Sequence, residues 1–472
     1  MRCLLLLGLV ALMPLPTALA QRKKGVEPVK IIKLDRKKPV SYADDVFPIF
    51  RKRCFACHSG SITEGDFDIS SFDKLKKGGK RGSPIVAGKA DKSTLYTMLT
   101  RKGRPFMPPR SEDPVTPEEL AIVKLWIDQG AKPPTTELVI RPKVLLSALP
   151  ATVSPVRAVA VSPDKSTVAS GRGNQLHVYD ANSGTFIRSM VAPGLKTFDG
   201  KDVKAAHLSI VESMAFSPDG KYLITGSYQE IRIWDVQTGM LRETIDGFAH
   251  NVVAIDFSKD GKLFATAGGY PTEEGEIKVF EVGSWKQVAE VKNGHSDTVY
   301  GLCFSPDAKH LATSSADKFV KVFEIPSGKL VKSFEGHTHQ VLDVGWSADG
   351  KYLASAGADE TVKVWDYAKG EQSRTINVNS KQLTRLEFIG KTTDFAVCTG
   401  SGLVRYYRCT NGGLVRNFPT LSDFAFAIDV SPDGQMMVAG GQAGVVKVYN
   451  GANGQLLRTL TPPDSAVDSA KK

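Results

Sequence analysis

The second part of the chain alternates short apolar runs with polar turns. Near the end of each run an aromatic residue recurs, at intervals of 55, 46, 43, 42, 42 and 42 residues. These residues are Tyr179, Trp234, Phe280, Phe323, Trp365, Tyr407 and Tyr449. A second signal, in most copies Ser-Pro-Asp-Gly or a close variant, keeps the same phase and starts at Ser162, Ser217, Ser258, Ser305, Ser347, Phe388 and Ser431. Two signals repeated in phase predict seven copies of one unit built from short β-strands.

Two dipeptides add a resemblance to this repeat. Gly-His occurs at Gly294 and Gly336, and Trp-Asp occurs at Trp234 and Trp365. Together with the period, they make the segment resemble WD40 repeats, which form β-propellers with four strands per blade. The resemblance implies an all-β, seven-bladed WD40 β-propeller over residues 144–461.

Two segments compete for the outer strand of the last blade. The segments Lys143 to Pro150 and Gly454 to Thr461 both fit the repeat phase of an outer strand. The blade could therefore be completed from either end of the chain. The remaining tail, residues 462–472, is predicted to be disordered.

The preceding part of the chain has helical periodicity instead. Apolar residues from Val46 onward lead at helical spacing to Cys54, which predicts a first helix. A last helix is predicted after Thr116, a good N-cap residue followed by proline and two glutamates. We expect a small all-α domain over residues 41–134, joined to the propeller by a linker over residues 135–143.

The start of the chain predicts export. Residues 1–20 hold an early positive charge at Arg2, an apolar run too short to span a bilayer, and a small-x-small end at Ala18 to Ala20. This is the pattern of a cleaved signal peptide, so we expect the periplasm or another extracytoplasmic space, with no transmembrane segment in the mature chain. Residues 21–40 are basic and lack aromatic residues, which predicts a flexible lead-in.

One short motif carries candidate chemistry. The stretch RKRCFACHSG places Cys54, Cys57 and His58 together in a chain with only 6 cysteines and 8 histidines. Two thiols one helical turn apart can form thioethers with the two vinyl groups of a haem, and the adjacent imidazole can then ligate its iron. A thioredoxin-like redox pair does not require the histidine, and a zinc site needs two more ligands nearby. The motif predicts one covalent haem c.

A second axial ligand must come from the segment between the two predicted helices. Met107 in GRPFMPPRSEDP is followed by two prolines, which hold a loop extended and suit a thioether fixed over the iron. Met98, in a helical-looking segment, is the alternative ligand, and an open iron site is the other possibility. We predict that Met107 is the ligand.

The same segment resembles a known family. CFACH, FMPPR and LWIDQGA occur in order, and with them residues 40–134 resemble the planctomycete-type cytochrome c domain. The resemblance implies haem c bound through Cys54 and Cys57, with His58 and Met107 as the axial iron ligands. It implies nothing about the redox partner.

The charge of the chain is concentrated around this motif. Of the formal net charge of +11, residues 21–135 hold 24 Lys and Arg against 14 Asp and Glu, whereas residues 136–472 hold 36 of each. A positive surface around a haem edge attracts acidic proteins, although a solvated basic face without a partner is the alternative. We expect an acidic redox partner protein, and no nucleic acid for an exported haem protein.

The histidines of the propeller are predicted to be structural. In WD40 blades they join a hydrogen-bond relay with an aspartate of a tight turn. The predicted pairs are His295 with Asp317 and His337 with Asp359. His250 is expected to do the same in a degenerate blade. His337 and His339 have a metal-like spacing without carboxylate or thiol neighbours, and no residue of the propeller stands out as catalytic.

Two insertions interrupt the period of the repeat. Residues 192–211 enlarge the connection between the first two blades, and residues 268–276 enlarge a loop within the third. Because strands alternate in direction, both loops leave on the same face. We expect this face to be a protein-docking surface.

These features together predict a mono-haem c-type cytochrome that carries or senses electrons, with the propeller as a protein-docking scaffold. Iron with both a histidine and a methionine ligand has no free position for a substrate, so electron transfer is favoured over catalysis. Two alternatives stay open. One is a haem oxidoreductase, either peroxidase-like or with chemistry in the propeller, and the other is an extracellular binding module with a structural haem.

Overall fold

Helices occupy the first third of the chain and strands the rest. The structure is a computed structural model and describes residues 27–36, 38–58, 64–102, 105–109, 113–135, 146–147, 149 and 155–463. The chain divides into two units, Met1–Arg141 and Pro142–Lys472.

The first unit is helical. Its elements are a π-helix (Tyr42–Val46), α1 (Phe47–Arg53), α2 (Phe55–His58), α3 (Phe72–Lys77), α4 (Thr94–Leu99) and α5 (Pro117–Asp128), with 3₁₀ turns at Glu64–Asp66 and Ala90–Lys92. Phe50 and Trp126 are buried at the centre of its core. The predicted last helix is confirmed as α5, and a capping box starts it: Glu119 N–H donates to Thr116 Oγ1 at 3.1 Å, and Thr116 N–H donates to Glu119 Oε2 at 2.8 Å.

The predicted first helix is not continuous. Pro48 has no N–H and cannot form the usual bond to the Asp44 carbonyl. The turn before it is wider, because Phe47 N–H bonds to the Tyr42 carbonyl five residues back. The helix breaks again at Cys54, where φ is −130°.

The basic lead-in is attached to the helices at two points. Val29 and Val40 are buried in the helical core. Val29 N–H donates to the Thr100 carbonyl at 3.0 Å, and Val40 N–H donates to Gln129 Oε1 at 2.8 Å. Most of the described residues between them are exposed, and the flexibility of the lead-in stays a prediction.

The second unit consists of strands. They are β1 (Val156–Val161), β2 (Thr167–Arg172), β3 (Gln175–Asp180), β4 (Phe186–Met190), β5 (Ser213–Phe216), β6 (Tyr222–Gly226), β7 (Tyr228–Asp235), β8 (Leu241–Phe257), β9 (Leu263–Tyr270), β10 (Glu274–Glu281), β11 (Gln287–Val291), β12 (Val299–Phe304), β13 (His310–Ser315), β14 (Phe319–Glu324), β15 (Leu330–Glu335), β16 (Val341–Trp346), β17 (Tyr352–Gly357), β18 (Thr361–Asp366), β19 (Glu371–Asn377), β20 (Leu383–Phe388), β21 (Asp394–Thr399), β22 (Val404–Arg408), β23 (Leu414–Phe418), β24 (Ala425–Val430), β25 (Met436–Gly441), β26 (Val446–Asn450) and β27 (Leu456–Leu460).

These strands form seven antiparallel blades in six sheets. Five sheets have four strands each, and the sixth has seven because β8 is shared. Its first half pairs with β7 as the outer strand of blade two, and its second half pairs with β9 as the inner strand of blade three. The inner strands β1, β5, β8, β12, β16, β20 and β24 contact one another in this order, and β24 contacts β1. This closed order confirms the predicted all-β propeller.

Blade seven is completed from the C-terminal side. The outer strand β27 pairs with β26, so the segment that starts at Gly454 supplies it. Of the competing segment, Leu146, Ser147 and Leu149 are described and lie outside any strand, and the rest falls outside the described residues.

The Ser-x-Asp signal caps the turn between the first two strands of a blade. In six copies the serine hydroxyl donates to the aspartate two residues on, at 2.6–2.7 Å, and accepts the backbone N–H five residues on, at 2.9 Å. The serines are Ser162, Ser217, Ser258, Ser305, Ser347 and Ser431. The repeated signal therefore reflects a local turn requirement.

Basic side chains on the outer strands join neighbouring blades. In five blades, a residue in the middle of the outer strand donates to a turn carbonyl of the next blade. The pairs are Arg188 with Gln237 (3.1 Å), Lys332 with Ala368 (3.0 Å), Arg374 with Thr410 (2.9 Å), Arg416 with Gly451 (3.0 Å) and Arg458 with Asn182 (3.0 Å). The last pair links blade seven to blade one.

Carboxyl groups join inner strands in the same way. Asp256, Asp343 and Asp429 each accept a backbone N–H from the inner strand of the next blade. The donors are Phe304 (2.8 Å), Leu386 (2.8 Å) and Val161 (2.7 Å), respectively. Burial raises the pKa of each of these carboxyls to about 6, so the ionised form is costly at neutral pH.

Asp343 makes a pH-dependent contribution to stability that a substitution can isolate. Because the pKa of this carboxyl is higher in the folded than in the unfolded chain, its contribution is present at low pH and is lost as the pH rises through about 6. The amide in Asp343→Asn cannot ionise. Relative to wild type, the variant should gain roughly 1 kcal/mol of unfolding free energy between about pH 5 and pH 7.

Urea unfolding of both proteins at the two pH values measures this difference. Asp349→Asn is the matched control, because the Asp349 carboxyl is exposed and its pKa is lowered, so it stays ionised over this interval. Parallel pH dependence of wild type and Asp343→Asn would contradict the expectation.

Candidate functional site

The two thiols of the motif lie on one turn of backbone. Cys54 follows α1 and Cys57 lies in α2, and the N–H groups of Cys57 and His58 donate to the Cys54 carbonyl at 3.2 and 3.1 Å. Neither cysteine is in a disulfide bond. Burial, followed by the neighbouring Cys57, raises the pKa of Cys54 to about 12. A redox-active pair needs a stabilised thiolate, so this environment disfavours the thioredoxin-like alternative.

The imidazole of His58 is oriented by the segment that follows it. His58 Nδ1 lies 3.2 Å from the Phe67 carbonyl oxygen, and the His58 carbonyl accepts Ile69 N–H at 2.8 Å. A carbonyl can only accept, so Nδ1 is the donor and the neutral ring carries its lone pair on Nε2. Backbone acceptors fix metal-ligating histidines in this way. The side chain is 9% exposed, and an imidazole held like this can ligate a metal.

Buried side chains, most of them apolar, surround the motif. Phe47 and Phe55 pack edge to face at 5.5 Å, and Ile69 is buried beside them in the same core. The Tyr42 hydroxyl is buried in this core and has no hydrogen-bond partner in the described part of the chain. A buried donor without an acceptor is costly, and the Tyr96 hydroxyl of the same core likewise has no hydrogen-bond partner among the described residues.

A backbone hydrogen bond joins the two candidate methionines. Met98 lies in α4, Met107 lies in the loop after it, and Met107 N–H donates to the Met98 carbonyl at 3.2 Å. Both side chains are half-buried. The structure brings the two segments together, and the choice of Met107 over Met98 stays a prediction.

A hydrogen-bond relay surrounds a buried histidine in blade five. His337 Nδ1 lies 2.9 Å from Asp359 Oδ2, and Nε2 lies 2.8 Å from Ser355 Oγ, which also accepts Trp365 Nε1 at 2.9 Å. In blade four, His295 is 2.8 Å from both Asp317 and Thr313. The predicted structural role of His295 and His337 is confirmed.

Blade two contains a third relay, and its histidine is not the predicted one. His207 Nδ1 is 2.7 Å from Glu230 Oε1, and Nε2 is 2.8 Å from Thr225 Oγ1, which also accepts Trp234 Nε1 at 2.9 Å. His207 is fully buried, and burial lowers its pKa, so the ring stays neutral. A glutamate replaces the aspartate in a hairpin that is shorter by one residue: Thr225 pairs with Arg232, seven residues on, whereas Thr313 pairs with Lys321, eight residues on.

His250 has a different environment from the one predicted. Its ring contacts the rings of Tyr228 at 5.1 Å and Tyr270 at 5.4 Å, both edge to face. The prediction of a relay at His250 is therefore corrected in favour of His207. His207 lies within residues 192–211 and keeps the separation of 18 residues from its hydroxyl partner that His295 and His337 have.

The metal-like spacing of His337 and His339 has no matching cluster. Both ring nitrogens of His337 are used in the relay. No group of three or more histidine, cysteine, aspartate or glutamate side chains suited to a metal ion occurs among the residues that the structure describes. The zinc alternative at Cys54 likewise finds no further ligands in that part of the chain.

Both insertions are partly built into the propeller. Residues 268–276 lengthen the β9–β10 hairpin, with Gly268 opposite Glu276. Residues 192–211 bury His207 and Val211, while Phe198 at the tip is 60% exposed. The connections between blades leave on the same face as these hairpins, because the four strands of each blade alternate in direction.

Hydrogen bonds tie the loops of this face together. Gln229 Nε2 donates to the Ala249 carbonyl at 3.2 Å, and Ala249 N–H donates to Glu276 Oε2 at 2.9 Å. Thr272 N–H donates to Asp297 Oδ1 at 2.8 Å. Loops from blade two to blade four therefore form one braced surface.

Family models match three parts of the chain. The model of the IFT122 first beta-propeller matches residues 210–471, more than half of the chain. The chain belongs to this β-propeller family. Elsewhere in the chain, the WD domain, G-beta repeat model matches residues 143–180, and the Planctomycete cytochrome C model matches residues 54–111. The last range includes Cys54 and Met107.

The curated relatives share 25–32% of their residues with this chain over the matched segments. The COMPASS component SWD3 of Saccharomyces cerevisiae is 25% identical over 216 residues, which are 37% of this chain and 66% of the relative. The WD repeat-containing protein SL1-17 of Schistosoma mansoni is 32% identical over 139 residues, 29% of this chain and 42% of the relative. Actin-interacting protein 1 of Drosophila melanogaster is 26% identical over 186 residues, which are 38% of this chain and 28% of the relative. The chain spans less than two thirds of the length of each.

Some predicted segments of the chain lie outside the described residues. They are the signal peptide (1–20), the linker after Thr135 and the tail from residue 464. The expected domain boundaries stay predictions there. Among the residues that are described, none of the helices has the length and apolar character needed to cross a membrane.

The corrected relay gives a direct test. We expect His207→Ala to lower the unfolding free energy by about 2–4 kcal/mol, because it leaves a cavity and strands the buried Thr225 hydroxyl and the Glu230 carboxylate. His250→Ala is the control and should cost less than about 1 kcal/mol. Urea unfolding followed by tryptophan fluorescence measures both. A larger loss for His250→Ala than for His207→Ala would contradict the assignment.

Proposed function

We propose that this protein is an exported mono-haem c-type cytochrome that carries or senses electrons, with the propeller as a protein-docking scaffold. One observation carries the haem part. His58 is held through Nδ1 by the Phe67 carbonyl, with its Nε2 lone pair available, directly after Cys57 in a motif whose two cysteines form no disulfide. This donor set has the chemistry of covalent haem attachment and proximal ligation.

The residues of the helical unit fit the group. Cys54 and Cys57 would form the thioethers, His58 Nε2 would be one axial ligand and Met107 Sδ the other, with Met98 as the alternative. A bound haem c supplies a one-electron iron couple, whose potential a thioether ligand raises relative to a second histidine. Among the described residues, the buried Tyr42 hydroxyl has no hydrogen-bond acceptor.

The surrounding side chains favour electron transfer over an open catalytic site. Phe47, Phe55 and Ile69 keep water away from the motif, and a low-dielectric environment limits the reorganisation that accompanies a change of charge. With both axial positions taken, iron has no free position for a substrate. The protein's own contribution is therefore to bind, orient and shield the group.

Exposed basic residues support an acidic redox partner. Lys76, Lys77 and Arg81 are exposed on α3 and the turn after it. Other cations nearby are used internally: Lys74 pairs with Asp68 at 2.8 Å, and Arg53 pairs with Glu119 at 3.1 Å. These exposed charges can attract an acidic protein surface at low salt.

The propeller part of the proposal is supported by the relatives and by the braced loops. Actin-interacting protein 1 is by its name a protein that interacts with another protein. The face that carries residues 192–211 and 268–276 is braced by hydrogen bonds and exposes Phe198, and the Tyr228, His250 and Tyr270 rings pack together there, half-buried. Aromatic surfaces suit protein docking. We place this docking outside the cytoplasm, in the periplasm or an equivalent space, and without nucleic acid.

Haem attachment is tested on the full-length chain produced with a haem c maturation system. Wild type should keep its haem through denaturation and solvent extraction, seen as added mass on the polypeptide, because thioether bonds survive unfolding. Cys54→Ser combined with Cys57→Ser should abolish the added mass. Cys409→Ser, in the propeller, is the matched control and should keep it. Wild type without covalent haem, or a double variant that retains it, would refute the proposal.

A further inference from the structure

The loop that carries Met107 is fastened to the end of α4 by one side chain. The Arg101 guanidinium Nη2 donates to the Pro108 carbonyl at 2.6 Å and to the Pro109 carbonyl at 2.9 Å. Its Cζ also lies 5.5 Å from the centre of the Phe106 ring. Arg101 therefore contacts the residues on both sides of Met107.

The backbone at the same helix end holds the loop as well. The Met98 carbonyl accepts the N–H of Met107 and the N–H of Arg101, each at 3.2 Å. Arg101 itself has a left-handed backbone, with φ 55°, which turns the chain sharply after the helix. The Met98 carbonyl thus holds both Arg101 and the loop that carries Met107. We call the Arg101 side-chain contacts to the Pro108 and Pro109 carbonyls the clamp.

The two prolines explain why a side-chain donor is needed. Pro108 and Pro109 have no N–H groups, so they cannot anchor the loop by donating backbone hydrogen bonds. Their carbonyl groups can still accept, and a guanidinium reaches both at once in a fixed geometry. A lysine ammonium is a point charge without this planar fork.

We propose that Arg101 is a positioning residue that holds Met107 in place as an axial ligand. The inference rests on the proposed haem function. Arg101 acts through the loop and not on the iron. Without the clamp, the Arg101 side chain no longer fixes the position of the loop, so the thioether is more easily displaced.

The test compares Arg101→Gln, Arg101→Lys and the control Lys102→Gln in full-length haem-loaded protein. Lys102 is exposed, and only its backbone N–H is seen in a hydrogen bond, to Thr100 Oγ1. Two readouts are used: the near-infrared charge-transfer band of thioether-ligated ferric haem, and the apparent affinity for added imidazole, which competes with methionine for the iron.

We expect Arg101→Gln to raise the apparent imidazole affinity about tenfold or more, since a hydrogen bond to a charged group contributes about that factor. The near-infrared band should weaken in parallel, Arg101→Lys should be intermediate, and Lys102→Gln should match wild type. If Arg101→Gln does not accumulate, Arg101→Lys carries the same comparison.

The outcomes separate the two proposals. A wild type that carries haem and shows the band, with both Arg101 variants unchanged, overturns the clamp and leaves the haem proposal standing. A wild type without covalent haem overturns both. A wild type with haem but without the band means that Met107 does not ligate the iron, which also overturns the clamp.

Discussion

The propeller depends on side chains that bond to the backbone of the next blade. In the described part of the chain, β8 is the strand whose backbone pairing continues from one blade into another. Elsewhere, inner-strand carboxylates and outer-strand basic residues make the connection. At the seam between the two ends of the unit, Val161 N–H bonds to Asp429 and Arg458 bonds to the Asn182 carbonyl. Blade seven draws all four strands from the C-terminal side, so these contacts close the ring in place of a shared strand.

The repeat itself was predictable because it is a local requirement of each blade. The Ser-x-Asp turns and the relays at His295 and His337 depend on residues at fixed separations. The relay at His207 escaped prediction because its histidine follows Ala206 and not a glycine, and because a glutamate replaces the aspartate. One signal could have found it: in all three relays the histidine and its hydroxyl partner are 18 residues apart. The pairing of His250 with two tyrosines depends on loops from different blades, which the repeat phase does not contain.

In the helical unit, too, some features could be predicted from the sequence and others could not. Its donor set and its last helix follow from short motifs, whereas the π-turn before α1 and the burial of Val29 depend on tertiary packing. The sequence leaves Met98 and Met107 as alternatives, and the structure shows why they are hard to separate: one carbonyl joins their segments. The Arg101 contacts to two proline carbonyls could not be read from the sequence, because they require the loop to fold back on α4.

The donor set, the shielding and the docking surface fit an electron-transfer unit attached to a scaffold. This combination stands or falls with the coordination of the iron. The most direct measurement is the optical spectrum of the reduced full-length protein, made with a haem c maturation system, before and after addition of carbon monoxide. Coordination by His58 and Met107 predicts a low-spin spectrum that carbon monoxide does not change. Ready binding of carbon monoxide, or a high-spin ferric form, would contradict it and move the enzyme alternative to first place.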